Sequence, residues 1–154
     1  SPYEFKLLYR GSRDGFAASK FHELCGSRSQ TVVVVKINQT ERIIGGYNPS
    51  TWGGGSVYNR QMYFISVPDA FIFSISDGNV KFSRSISGNQ IAYNPYQITY
   101  GPYFYNDLCI SDQCDQNTSS WYRPGCFNTP NNNIWDDNNA IKYFQVDEFE
   151  VFCI

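Results

Sequence analysis

Apolar and polar positions along the chain follow one helical stretch and many short strands. Residues 3–9 (Tyr-Glu-Phe-Lys-Leu-Leu-Tyr) read as a first strand or extended segment. After the turn at 10–15 the spacing becomes helical. Phe16, Ala17, Phe21, Leu24 and Cys25 fall on one face, and Ser19, Lys20, His22 and Glu23 on the other. This predicts a helix of about three turns, capped by Asp14 and stopped by a left-handed Gly26.

The remainder is punctuated like a β protein. The β-branched run 31–37 predicts a fully buried strand, returned by 42–47 across a turn at 38–41. Gly45 and Gly46 inside that return strand predict a bulge or the close approach of another backbone. Residues 70–75 and 80–83 predict a hairpin across Asp77-Gly78. Short strands fit 91–93 and 97–100, with further extended segments at 101–104 and 107–110, and the alternation in 146–154 predicts a closing strand held inside a sheet. Residues 111–139, rich in Asn and Asp, predict a long irregular loop. The fold class expected is mainly β (α+β): a two-sheet antiparallel sandwich flanked by one or two short helices.

Composition narrows the function classes. The chain has 154 residues, the size of one domain, and its 12 Phe, 12 Tyr and 3 Trp supply a substantial core. Twelve basic against 14 acidic residues give a net charge of -2, with no surplus to neutralise phosphates, so nucleic acid is not an expected partner. No apolar run, 32–35 included, exceeds four residues, far below the ~20 that span a bilayer, which argues against membrane insertion. The start at Ser1-Pro2, without Met or a signal-peptide core, predicts a piece excised from a longer protein.

Candidate chemistry is sparse. His22, the single histidine, sits on the predicted polar helix face and is expected to be solvated. Cys109, Cys114 and Cys126 lack the paired spacing of a zinc site, so a disulfide within that trio, or free thiols, is expected rather than metal. The odd count of five Cys, with Cys25 and Cys153 in apolar contexts, favours a reducing, intracellular setting; the location expected is cytoplasmic or peripheral to organelle membranes, with secretion as the alternative. Acidic clusters at 112–117 and 136–139 lack the ligand alternation of a calcium loop. Residues 52–56 lack the Lys-Ser/Thr of a phosphate loop. Asn38 and Asn117 head formal glycosylation sequons. Glu148 and Glu150, two apart on a strand, share one face about 6.5–7 Å apart. That separation suits a hydrolase pair, but the wet face of a strand, with Phe149 and Val151 inward, is the expected reading. Aromatic, Asn-rich segments around Tyr96, Trp121, Tyr122 and Trp135 form an alternative carbohydrate-binding set.

Several segments, in order, resemble the TLDc domain of oxidation-resistance proteins. The N-terminal signature is 7–16 (Leu-Leu-Tyr-Arg-Gly-Ser-Arg-Asp-Gly-Phe) running into a short helix. Residues 31–36, Ile44-Gly45-Gly46-Tyr47 and Trp52 are similar to a second block, and 69–74, 101–108 and 148–152 to later ones. The departure is 114–139, longer and richer in Asn and Cys than the usual family loop. The resemblance implies a sandwich with helices at its side. It also implies a non-enzymatic role, binding the vacuolar proton ATPase and supporting oxidative-stress resistance; no cofactor and a monomeric state are expected. By resemblance or expected exposure, Arg13, Asp14, Trp52 and Asp107 are the partner-binding candidates.

Overall fold

A computed structural model describes residues 3–53, 63–84, 90–93, 99–125, 134–135 and 140–154. The first strand, β1 (Lys6–Arg10), runs into a single helical turn, α1 (Gly11–Asp14), and then α2 (Ala18–Cys25). The strands β2 (Thr31–Ile37), β3 (Ile43–Asn48), β4 (Tyr63–Ser66), β5 (Phe71–Ser76), β6 (Asn79–Arg84) and β7 (Gln90–Tyr93) follow. They are succeeded by β8 (Tyr100–Phe104), β9 (Leu108–Ser111), β10 (Ser120–Tyr122), β11 (Lys142–Phe144) and β12 (Val146–Cys153).

The strands form two principal antiparallel sheets, as expected for the sandwich. The six-stranded sheet has the order β1-β12-β2-β3-β5-β6 and the four-stranded sheet β11-β10-β9-β8, with β4 and β7 paired separately. The closing strand therefore lies between β1 and β2, so chain ends 140 residues apart share one ladder (Arg10 opposite Glu150). Between β5 and β6, Asp77 (φ 50°) and Gly78 (φ 77°) make a two-residue turn with both central residues left-handed, the twist that suits a hairpin.

Alternation decides which side chains face the core. In β2, Thr31, Val33, Val35 and Ile37 are buried and Val32, Val34 and Lys36 only partly covered, so the expected full burial holds for one face alone. From the second sheet Phe104, Leu108 and Tyr122 join the same core. The two glycines of β3 answer to close neighbours. A Cβ on Gly46 would lie 2.6 Å from the Phe104 ring of the opposite sheet, and one on Gly45 would strike the Val33 carbonyl.

Helix α2 differs from its sequence pattern in four respects. It begins at Ala18 and runs eight residues, shorter than three turns. Its first N–H is capped not by Asp14 but by Asp112 Oδ1, which accepts from Ala18 at 2.7 Å. Gly26 is right-handed (φ -56°) rather than left-handed. His22 is 2% exposed, buried with Phe21 because α2 packs against β8 as well as β1. Within 111–139, residues 120–122 form strand β10, paired to β9 and β11, so that stretch is not wholly irregular.

Candidate functional site

Charged side chains from three elements meet where β1 turns into α1: Arg10, Arg13 and Asp14 with Glu148 and Glu150 of β12. The chain leaves the sheet at Arg10, and Gly15 N–H donates to the Gly11 carbonyl at 2.8 Å to close the helical turn. Asp14, at its end, accepts from Arg10 N–H at 3.0 Å. The Arg13 guanidinium forks onto the same carboxylate (Nε to Oδ1 3.1 Å, a terminal nitrogen to Oδ2 2.9 Å) and also donates to the Leu8 carbonyl at 3.3 Å. That hydrogen bond holds the Asp14 carboxyl below the usual carboxylate range and raises the guanidinium.

Strand β12 fastens this loop to the sheet. Glu148 Oε1 accepts from Ser12 N–H at 3.0 Å, and Glu150 Oε2 accepts two guanidinium N–H groups of Arg10 at 2.9 and 2.8 Å. Beneath them the buried Tyr9 hydroxyl donates to the Gly15 carbonyl, and burial raises its phenol. Phe149 and Val151 face the core, as the alternation predicts. The carboxylate pair thus holds the α1 loop in place, while Arg10 and Arg13 keep about half their side-chain surface in solvent (45% and 49%).

The other partner-binding candidates lie elsewhere. Trp52 is 2% exposed and packs against Phe21 and Phe104, its indole N–H donating to Thr31 Oγ1 at 2.8 Å. Asp107 is fully buried in the β8–β9 turn, its N–H donating to the Phe104 carbonyl and its carbonyl accepting from Arg123 N–H. Neither side chain is presented to a partner on the surface; both belong to the frame. Arg13 and Asp14 remain together on the exposed loop.

The alternative aromatic set is also divided. Tyr122 and Trp135 are 3% and 0% exposed, with ring centroids 4.8 Å apart in the core. Arg42, itself partly buried, lies over the Tyr122 ring, donates to its hydroxyl at 2.9 Å and donates to the Trp135 carbonyl, a framework that nothing in the local sequence around Arg42 signals. Trp121 alone is partly open; Tyr96 lies outside the described residues.

His22 Nε2–H donates to the Tyr100 carbonyl at 2.8 Å, and burial lowers the ring pKa to about 4. Cys109 and Cys114 carry free buried thiols, so no disulfide joins them, and Cys126 lies outside the described residues, as does 136–139. Burial raises both thiols and takes Cys25 to about 12. Both sequon amides are engaged: Asn38 donates to Asp147 Oδ1 at 2.6 Å, and Asn117 to the carbonyls of Asp112 and Gln113. Among the described residues no helix is long and apolar enough to cross a membrane, and no cluster of three or more His, Cys, Asp or Glu is arranged to hold a metal ion.

These features define a two-sheet antiparallel β-sandwich with an exposed charged loop tied down by its closing strand. The family model for the TLDc domain matches residues 1–154, the whole chain, and the chain belongs to the TLDc domain family. No curated protein matches it.

Proposed function

We propose that this domain is a non-enzymatic regulatory module that binds a protein partner through the α1 loop. The partner proposed is the vacuolar proton ATPase, and the cellular outcome is resistance to oxidative stress. The observation that carries the reading is the loop itself. Arg10 and Arg13 are exposed yet held in fixed geometry by Glu150, Asp14 and the Leu8 carbonyl, which lowers the ordering cost of binding. Membership of the TLDc family supports the regulatory role.

Two further observations favour regulation over chemistry. The single histidine is buried against Phe21 with Nε2 engaged by a backbone carbonyl, a poor position for a general base. Burial keeps Cys25, Cys109 and Cys114 as thiols rather than nucleophilic thiolates, so protection from oxidants runs through the partner and not through these sulfurs.

Co-sedimentation with isolated vacuolar proton pump, with ATP hydrolysis followed in parallel, tests the proposal. The domain is expected to sediment with the pump and change its hydrolysis rate. An Arg10→Ala/Arg13→Ala variant is expected to lose both effects at little cost in thermal stability, because exposed ion pairs contribute little. Absence of binding at micromolar domain would remove the pump as partner. Undiminished binding of the variant would remove the loop as the contact surface.

A further inference from the structure

The outer face of the four-stranded sheet carries a groove of about 400 Å³, the size of a small-molecule site. Register explains its aromatic wall. Trp121 stands opposite Cys109 on one side and Tyr143 on the other, while Tyr103 pairs with Cys109 from β8, so these residues share a face. Their neighbours Phe104, Leu108 and Tyr122 point into the core. Tyr143 is 55% exposed. Trp121 is held edge-on to Tyr103 (5.9 Å, 89°), with the Arg123 guanidinium 5.2 Å from its ring centroid, so the indole is pre-positioned rather than free.

Thr99, Tyr100, Asp112 and Ser119 add oxygen atoms to the lining, as does Ser111, whose hydroxyl is engaged by Asn117 and Ser120. Asp112 uses Oδ1 to cap α2; among the described residues its second oxygen has no hydrogen-bond partner, and neither have the side-chain hydroxyls of Thr99, Tyr100, Ser119 and Tyr143. A groove with aromatic rings, several free hydroxyls and one carboxylate oxygen suits a ligand that has C–H faces and both donates and accepts hydrogen bonds.

We infer that this groove binds a short neutral saccharide, with Trp121 and Tyr143 packing on sugar rings and Asp112 accepting from sugar hydroxyls. An anionic ligand would meet the Asp112 carboxylate; among the described lining residues there is no Lys or Arg, and the neighbouring Arg123 is engaged by Asn106 and the Trp121 ring. A proline-rich peptide suits the rings but brings few donors for the carboxylate and hydroxyl acceptors. The site is independent of the α1 loop.

Trp121 reports on occupancy, since Trp52 and Trp135 are buried. Indole fluorescence of the full domain is titrated with maltotriose, cellotriose, triacetylchitotriose and, as a peptide probe, decaproline. At least one trisaccharide is expected to give a saturable change at millimolar concentration. Tyr143→Ala, at an exposed position, and Asp112→Asn, which keeps an oxygen for the Ala18 N–H, are each expected to weaken it at least about tenfold with the thermal midpoint unchanged. No saturable response to any of the three sugars, binding of decaproline in their place, or undiminished sugar binding by both variants would overturn the inference.

Discussion

Trp52 sits between Phe21 and Phe104, ring centroids 5.5 Å from each, and its N–H is bonded to a Thr31 hydroxyl that is itself fully buried. Trp52→Phe would leave that hydroxyl without a donor and a void beside it. Unfolding in urea is expected to show a loss of about 1–3 kcal/mol, read as a lower midpoint at unchanged slope. Gly46→Ala acts by the opposite route, pressing a methyl group against the Phe104 ring and the Phe71 carbonyl. A loss of about 1–3 kcal/mol is expected there as well. The Gly45-Gly46 pair in a strand was legible as a site of close approach, because only a missing Cβ explains two glycines amid β-branched neighbours. The direction of Trp52 was not. A Trp followed by glycines fits an exposed anchor or a core plug equally well, and only the α2 and β8 residues that meet it, distant in sequence, decide between them. Asp107 hides its burial for the same reason.

Helix α2 shows what periodicity conveys at the scale of an element. Its apolar face was readable, because Phe21 and Cys25 are one turn apart and both are buried. A two-sided helix was not, because His22 is polar by type and its partner, the Tyr100 carbonyl, lies 78 residues away. The Asp112 cap is equally remote, and a three-residue strand such as β10 carries too little alternation to stand out in a polar stretch. His22 yields a pH prediction. Burial lowers its pKa from 6.5 unfolded to about 4 folded, so the unfolded chain binds the extra proton first. Stability is therefore full above about pH 6.5 and falls as the pH drops toward 4, by a few kcal/mol at most. Asp14, held down by Arg13, and Asp147, held down by Asn38 and Lys36, keep their charge through that window and lose it only at lower pH. Thermal midpoints between pH 7 and 4.5 are expected to decline in the parent. The decline should be clearly smaller in His22→Gln, which retains a donor for the Tyr100 carbonyl. Equal slopes would show that His22 is not the group responsible.

At the scale of the whole molecule, the closing strand ties the ends of the chain together. β12 lies between β1 and β2, buries Val146, Phe149 and Val151, and uses Glu148 and Glu150 to hold the α1 loop. The strand itself was legible from its alternation; its place in the sheet was not, since that pairing closes a loop of more than 100 residues. One consequence is kinetic. The ladder joining Arg10 to Glu150 brings no contact until most of the chain is made and ordered, so folding belongs with the slower β topologies, on the millisecond-to-second scale. The other concerns truncation. Ending the chain at Gln145 removes the partner of both β1 and β2 and exposes the ring of Phe21, which packs on Phe149. Such a chain is expected to show no cooperative thermal transition. Removing residues 1–5, by contrast, leaves β1 whole from Lys6, with Tyr3 and Phe5 more than 60% exposed, and the transition is expected to persist. A cooperative transition in the chain ending at Gln145 would mean that the six-stranded sheet can close without its second strand, and that the α1 loop is held by something other than β12.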